Sequence, residues 1–315
     1  MEYILFLIGC IIIIKASDLL VDSASSIAIK LKVPKSLIAL TIVAFGTCAP
    51  EVGISFSSIL KHNYSMAVAN VVGSCIVNIL LIIGLASFLH PIKLRRATTK
   101  RELPLLVLIT AVFSCVILDD MLIINKPNIL SRMDGIVLLI LFLTFILYLI
   151  GMARANKKDV GENKVKYGIT KSIIYLILSI ILIVFSSDLL VENAVIIAEN
   201  LGVSHKIITM VIIVIGTSLP ELVMTIRASK KREYELAIGN IVGTNIFNIC
   251  IVLGLPVVLF GGIEVVDFNI IDMITVILSS IILYIFSKSE RKLSRIEGLS
   301  MLIIFVVYYA YVLFF

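Results

Sequence analysis

Charge is scarce in this sequence: Asp, Glu, Lys and Arg together make up 15% of 315 residues. A soluble domain usually carries about 25% and needs it to clothe its surface. Histidine is scarcer still, and His62, His90 and His205 all sit at loop edges, so no imidazole metal cluster is expected. Cys10, Cys48, Cys75, Cys115 and Cys250 lie inside apolar runs without CxxC spacing, which excludes a disulfide framework and a thiolate zinc site. No basic segment precedes the first apolar run, since the chain opens Met1-Glu2-Tyr3, so that run is expected to be a retained helix, not a signal peptide. The sequence also lacks a polar stretch long enough for an extramembrane domain; the longest polar connection is 154–171.

What remains is apolar. Hydrophobic residues make up 60% of the chain, and the mean hydropathy is +1.14. Runs long enough to cross a bilayer recur along the whole length. The expected fold is therefore an all-α integral membrane protein with ten transmembrane helices. Periodicity and breakers place them near 2–29, 35–60, 66–90, 102–119, 132–153, 170–199, 205–229, 235–260, 269–287 and 297–315. The net charge of +6 sits in short loops and is not a nucleic-acid footprint. Alternate loops beginning with 30–36 hold 22 Lys and Arg, whereas the opposite loops hold Lys61, Lys126, Arg132 and Lys206. By the positive-inside rule, the basic loops are cytoplasmic and both termini extracytoplasmic, in a multi-pass protein of the cell membrane.

A shift of 170 residues lays Ala16–Leu85 on Ser186–Leu255 without a gap, with 27 of 70 pairs identical. Ser17-Asp18-Leu19-Leu20-Val21 returns at Ser187–Val191. Gly46-Thr47-Cys48-Ala49-Pro50-Glu51 returns as Gly216-Thr217-Ser218-Leu219-Pro220-Glu221. Asn70, Gly73, Ser74 and Asn78 return as Asn240, Gly243, Thr244 and Asn248. The chain thus divides into a first five-helix repeat at 1–153, a cytoplasmic linker at 154–169 and a second five-helix repeat at 170–315. Five helices is an odd number, so the two repeats have inverted topology, the architecture of many secondary transporters.

Thr47, Glu51 and Ser55 share one helix face, as do Thr217, Glu221 and Thr225. Asn70, Ser74 and Asn78 make another oxygen-bearing stripe, repeated by Asn240, Thr244 and Asn248. Oxygen donors of this kind suit hard cations such as Ca²⁺ or Na⁺. Pro50 and Pro220 each remove a backbone donor, so a bend and freed carbonyls are expected around Gly46–Thr47 and Gly216–Thr217. Carboxyls at this depth are costly and usually mark ion paths. Gly73, Gly84, Gly243 and Gly254 are expected to pack helices closely. Asp18, Asp22, Asp188 and Glu192 lie toward helix ends, and Lys15 offers Asp18 a local partner; gating or ion entry is the other reading of these acids.

At these motifs the sequence resembles the cation/calcium antiporter superfamily, most closely its prokaryotic sodium/calcium exchangers. The stretches Gly46–Glu51 with Asn70–Asn78, and Gly216–Glu221 with Gly239–Asn248, are similar to that family's two α-repeats. The resemblance implies ten helices, four central ion subsites, and exchange driven by sliding of the first helix of each repeat. It implies Glu51 and Glu221 as bidentate Ca²⁺ ligands, completed by the carbonyls of Thr47 and Thr217. Ser74 and Ser218, with the carbonyl of Val214, are implied as one Na⁺ subsite, and Thr244 with the carbonyl of Ala44 as the other. There the family has serine where this chain has Cys48. Potassium-dependent members carry an acid at the position of Asn248, and proton-coupled relatives a Gly-Asn-Ala-x-Glu sequence that this chain lacks.

The resulting expectation is a Na⁺/Ca²⁺ antiporter working by alternating access, with Ca²⁺ and Na⁺ as cargo, no cofactor and no obligate protein partner. A Ca²⁺/H⁺ antiporter is the alternative, with Glu51 and Glu221 as proton carriers. A passive cation channel is the alternative of another class. An intramembrane enzyme is not expected, because no nucleophile–base pair accompanies the acids.

Overall fold

The computed structural model describes all residues except 1, 61, 63, 124–127, 156–165, 203–213, 262, 266–269 and 315. Among the described residues the regular structure is helical, apart from four strands of two or three residues. Among the described residues, eight helices are long and apolar enough to cross a membrane: Glu2–Leu31, Met66–Leu89, Thr98–Leu118, Arg132–Arg154, Ile169–Ile197, Tyr234–Phe260, Ile270–Lys288 and Arg295–Val312. A ninth crossing is the pair Lys35–Thr47 and Ala49–Leu60, bent by 48°. Leu219–Lys230 follows the short helix Val214–Thr217. The start of the expected 205–229 span, most of the 154–169 linker, and Lys61, Lys126, His205 and Lys206 lie outside the described residues. This is an all-α membrane protein.

Burial separates the helices into two kinds. Met66–Leu89 and Tyr234–Phe260 are 78% buried over their most apolar window, whereas Arg295–Val312 is 17% buried. An apolar helix left uncovered in this way belongs against lipid, where its exposed Ile303, Val306 and Val307 cost nothing. The two buried helices and the bent segments form the centre. The two longest helices, Glu2–Leu31 and Ile169–Asn200, pack on each other along the flank. Small residues set the closest approaches: a Cβ at Gly243 would stand 2.8 Å from the Leu40 carbonyl, and one at Gly254 would stand 3.1 Å from Leu138 Cβ. Gly84 meets Met301 Cβ at 3.2 Å in the same way.

Two features of the fold carry no mark in the residue pattern. The strands pair across the chain: β1 (Ile92–Lys93) with β4 (Lys292–Leu293), and β2 (Asn128–Leu130) with β3 (Ile263–Val265), both antiparallel. A run of ion pairs also ties one end of the bundle. Asp18 accepts both Nε and Nη2 of Arg227, and Lys231 reaches Asp18 at 3.2 Å and Asp22 at 2.7 Å. Lys166 joins Asp22 at 2.6 Å, Lys35 joins Glu233 at 2.6 Å, and Arg95 joins Glu235 at 3.0 Å. The partner of Asp18 is therefore not the neighbouring Lys15 but a cation 209 residues away, because the first helix lies against Leu219–Lys230.

Candidate cation-binding site

Each glutamate is placed by a break in its own helix. Pro50 and Pro220 cannot donate to the carbonyl four residues back, so the helical hydrogen-bond ladder stops just before them. The chain turns through Cys48 (φ −82°, ψ 12°) and Ser218 (φ −90°, ψ 11°), nearly the same bridge-region conformation at equivalent positions. The break thus falls one residue beyond the Gly–Thr pairs where a bend was expected. A new helix then begins, with Val52 N–H on the Cys48 carbonyl and Leu222 N–H on the Ser218 carbonyl, each at 3.0 Å. Glu51 and Glu221 therefore sit in the first turns of Ala49–Leu60 and Leu219–Lys230. The Gly216 carbonyl, freed by Pro220, accepts the Ser187 hydroxyl at 3.2 Å.

The asparagines are placed by a second device. Val77–Ile83 and Asn248–Leu253 are π-helical turns, so Asn78 and Asn248 open equivalent widened turns in the two halves. Such turns insert a residue into the helical count and recur at functional sites. The Glu51 helix packs against the Asn248 π-turn, and the Glu221 helix against the Asn78 π-turn. Each acid-bearing helix is thus seated on the other half of the chain.

The side chains brought together are sealed from solvent. Glu51, Glu221, Thr47, Ser74, Asn78, Ser218, Thr244 and Asn248 are fully buried, and Thr217 is buried. Ser218 Oγ lies 3.5 Å from Glu51 Oε1, the outer limit of a hydrogen bond, and joins the halves directly. Among the described residues, Glu51 Oε2, both carboxylate oxygens of Glu221, Ser74 Oγ, Asn78 Oδ1, Thr244 Oγ1 and both amide atoms of Asn248 have no partner in hydrogen-bond geometry. Thr225 Oγ1, one turn beyond Glu221, is also unpartnered. Thr47 is more engaged: its hydroxyl donates to Asn240 Oδ1 at 3.2 Å. Asn70 Nδ2 donates to the Glu51 carbonyl at 3.1 Å and to Ser55 Oγ at 3.0 Å. The Ala44 carbonyl accepts Cys48 N–H at 3.1 Å and lies 3.4 Å from the Thr47 hydroxyl. Val214 opens the short helix that ends at Thr217. Cys48, buried, turns its thiol onto the Phe45 carbonyl at 3.3 Å.

Asn245 is the residue that repeat-based reading misses. It accepts Asn78 Nδ2 at 2.8 Å and donates to the Cys75 carbonyl at 3.3 Å, fully buried between the halves. Its counterpart under the 170-residue shift is Cys75, so no repetition of an amide betrays it.

Leaving a buried polar atom unpaired costs about 1–3 kcal/mol, and more for a charged one. A positive charge seated among such oxygens would take the place of the missing hydrogen-bond donors. Among the described residues no group of three or more His, Cys, Asp and Glu assembles. The donors are carboxylate, amide, hydroxyl and carbonyl oxygens, the set that suits a hard cation.

Membrane-crossing helices around a sealed, two-sided oxygen site define a membrane cation-transport protein. The family profile described as "Sodium/calcium exchanger protein" matches residues 1–151 and 171–314. The chain belongs to that family, in the cation/calcium antiporter superfamily, and is a cation/calcium exchanger of the prokaryotic type. It is 30% identical to the sodium/calcium exchanger MaX1 of Methanosarcina acetivorans, over 98% of this chain and 97% of that one. It is 35% identical to the putative antiporter CaxA of Alkalimonas amylolytica, over 97% and 96% of the two chains. The structure superposes on the sodium-calcium exchanger NCX_Mj, soaked with 10 mM Na⁺ and zero Ca²⁺, with a TM-score of 0.83 and 29% identity over 98% of each chain.

Proposed function

We propose that this chain exchanges Ca²⁺ for Na⁺ across the cell membrane by alternating access. The observation that carries the reading is the cluster of buried, unpartnered oxygens drawn from both halves around Glu51 and Glu221. Two carboxylates balance one Ca²⁺ or two Na⁺. The same oxygens cannot hold both ion sets together, so release of one species is the condition for loading the other. Ca²⁺ draws on both glutamates, with the carbonyls of Thr47 and Thr217. Na⁺ draws on Ser74 and Ser218 with the Val214 carbonyl, and on Thr244 with the Ala44 carbonyl. Asn78 and Asn248 supply amide oxygens at the π-turns. The likeness to the sodium/calcium exchangers MaX1 and NCX_Mj supports this assignment.

Ten spans in two inverted repeats accord with several contacts. Two halves related by a two-fold axis bring equivalent residues together only beside that axis. Asn245 bonds the Cys75 carbonyl at 3.3 Å, and the Thr110 and Ser280 hydroxyls meet at 2.9 Å; each pair is 170 residues apart. The strand pairs exchange partners between halves in the same sense, β1 with β4 and β2 with β3. The eight long helices and the bent pair account for nine of the proposed ten spans, and the tenth would end in Leu219–Lys230. The Asp18–Arg227 fork then closes the cytoplasmic side.

Flux decides the reading. Proteoliposomes loaded with Na⁺ and diluted into Na⁺-free medium should accumulate ⁴⁵Ca²⁺, and equal Na⁺ on both sides should abolish the uptake. Uptake driven by a pH gradient alone would replace Na⁺ with H⁺ as the coupling ion. Flux without any counter-ion would point to a channel.

A further inference from the structure

We propose that a basic cavity at one end of the bundle binds the phosphodiester headgroup of an anionic phospholipid. The cavity, about 550 Å³, is lined by Arg96, Thr99, Lys100, Tyr284, Lys288 and Arg291. It lies between the start of the Thr98–Leu118 span and the end of the Ile270–Lys288 span. This is the level at which both spans leave the hydrocarbon, where lipid headgroups reside. The site stands whichever ions the core carries.

Four cations line the cavity and no carboxylate does. Elsewhere at this end Lys35, Arg95, Lys166, Arg227 and Lys231 each hold a carboxylate. Among the described residues, Arg96, Lys100, Lys288 and Arg291 do not. Like charges gathered in one recess repel, and an anion seated among them removes the cost. The two guanidinium groups suit the paired oxygens of a phosphate, and the two ammonium groups add charge without fixed geometry.

The recess is also held in shape. Lys288 Nζ sits 4.3 Å over the Tyr284 ring, which anchors the ammonium at the wall. On the floor the buried Thr99 hydroxyl donates to the Ser287 carbonyl at 3.3 Å, tying the two spans together. Next to Arg291 in the chain β4 pairs with β1, and Leu94 N–H extends the pairing to the Arg291 carbonyl at 2.8 Å. Arg291 and Glu290 both adopt φ near 50°, a left-handed turn that this pairing maintains. A free phosphate would satisfy the same cations. The position favours the lipid, because anionic headgroups crowd the interface far more densely than any soluble anion.

The test uses the full chain purified from bilayers containing about one-third phosphatidylglycerol in phosphatidylcholine. Native mass spectrometry then counts the phosphatidylglycerol that the protein retains. Substituting Arg96, Lys100, Lys288 and Arg291 by Gln should lower retention at least about tenfold. A control with Lys30, Lys32, Arg154 and Lys230 changed to Gln loses the same charge from the same end and should retain the lipid. Thermal unfolding confirms that both variants fold; if the quadruple variant does not, Arg96→Gln with Lys288→Gln replaces it. Equal loss in both variants would mean diffuse surface charge and overturn the site. So would a wild-type protein that retains no phosphatidylglycerol. Displacement of the lipid by millimolar inorganic phosphate, with phosphate retained in its place, would reassign the cavity to a soluble anion.

Discussion

Among the described residues, no donor reaches hydrogen-bond geometry with the two buried carboxylate oxygens of Glu221 or with Glu51 Oε2. Nothing in the fold needs that arrangement, since a buried charge without a partner destabilises a protein. This separates an ion-binding role from a structural one. Glu221→Gln should leave the ion-free protein as stable as before or more so, while abolishing the rise in Tm that Ca²⁺ produces. Loss of ion-free stability with the Ca²⁺ response intact would make the glutamate structural. Cys48 offers a second test. Its thiol is a soft donor turned onto the Phe45 carbonyl, whereas the equivalent Ser218 reaches Glu51. Cys48→Ser supplies a hard oxygen at that place. It should lower the Na⁺ concentration for half-maximal exchange by about threefold or more, and shift Ca²⁺ affinity less. The glutamates were legible in the sequence because a proline precedes each and the pair recurs. Asn245 was not, because its counterpart is Cys75 and no amide recurs there to mark the position.

Helices here act through their interruptions. The breaks at Cys48 and Ser218 follow from Pro50 and Pro220 and could be read from the sequence. The π-turns at Asn78 and Asn248 could not, because an apolar helix has the same composition whichever hydrogen-bond register it adopts. The ion pairs at one end were equally hidden, since a carboxylate does not announce a partner 209 residues distant. Arg227→Gln combined with Lys231→Gln removes both cations from Asp18. Amide exchange over residues 18–28 should then speed up by about tenfold or more, as the first helix leaves Leu219–Lys230. Unchanged exchange would show that apolar packing alone keeps this end closed. Close packing at the centre is tested by Gly243→Ala, whose added carbon would stand 2.8 Å from the Leu40 carbonyl and 2.9 Å from Leu40 Cα. A loss of about 1–3 kcal/mol is expected, against no loss for Gly53→Ala, which meets nothing within 4 Å.

At the scale of the whole molecule, a single chain builds its site from two copies of one pattern, and neither copy alone supplies both glutamates. The repeat was the most legible feature of all, because Asp, Pro, Glu, Asn and Gly recur at one fixed spacing where Leu and Ile would prove nothing. The contacts between halves were less legible, since pairs such as Thr110 with Ser280 meet only once the helices are assembled. The proposed inversion makes a topological prediction. A tag placed after Phe315 should react with a membrane-impermeant reagent in intact cells, and one inserted near residue 160 should not. The central claim is that one set of oxygens from both halves holds either Ca²⁺ or Na⁺. Equilibrium binding of ⁴⁵Ca²⁺ to the purified protein, titrated with Na⁺ at fixed ionic strength, tests it most directly. Saturable binding that Na⁺ displaces competitively, and that either Glu51→Gln or Glu221→Gln abolishes, is the predicted result. Ca²⁺ binding that survives both substitutions, or that Na⁺ leaves unchanged, would contradict it.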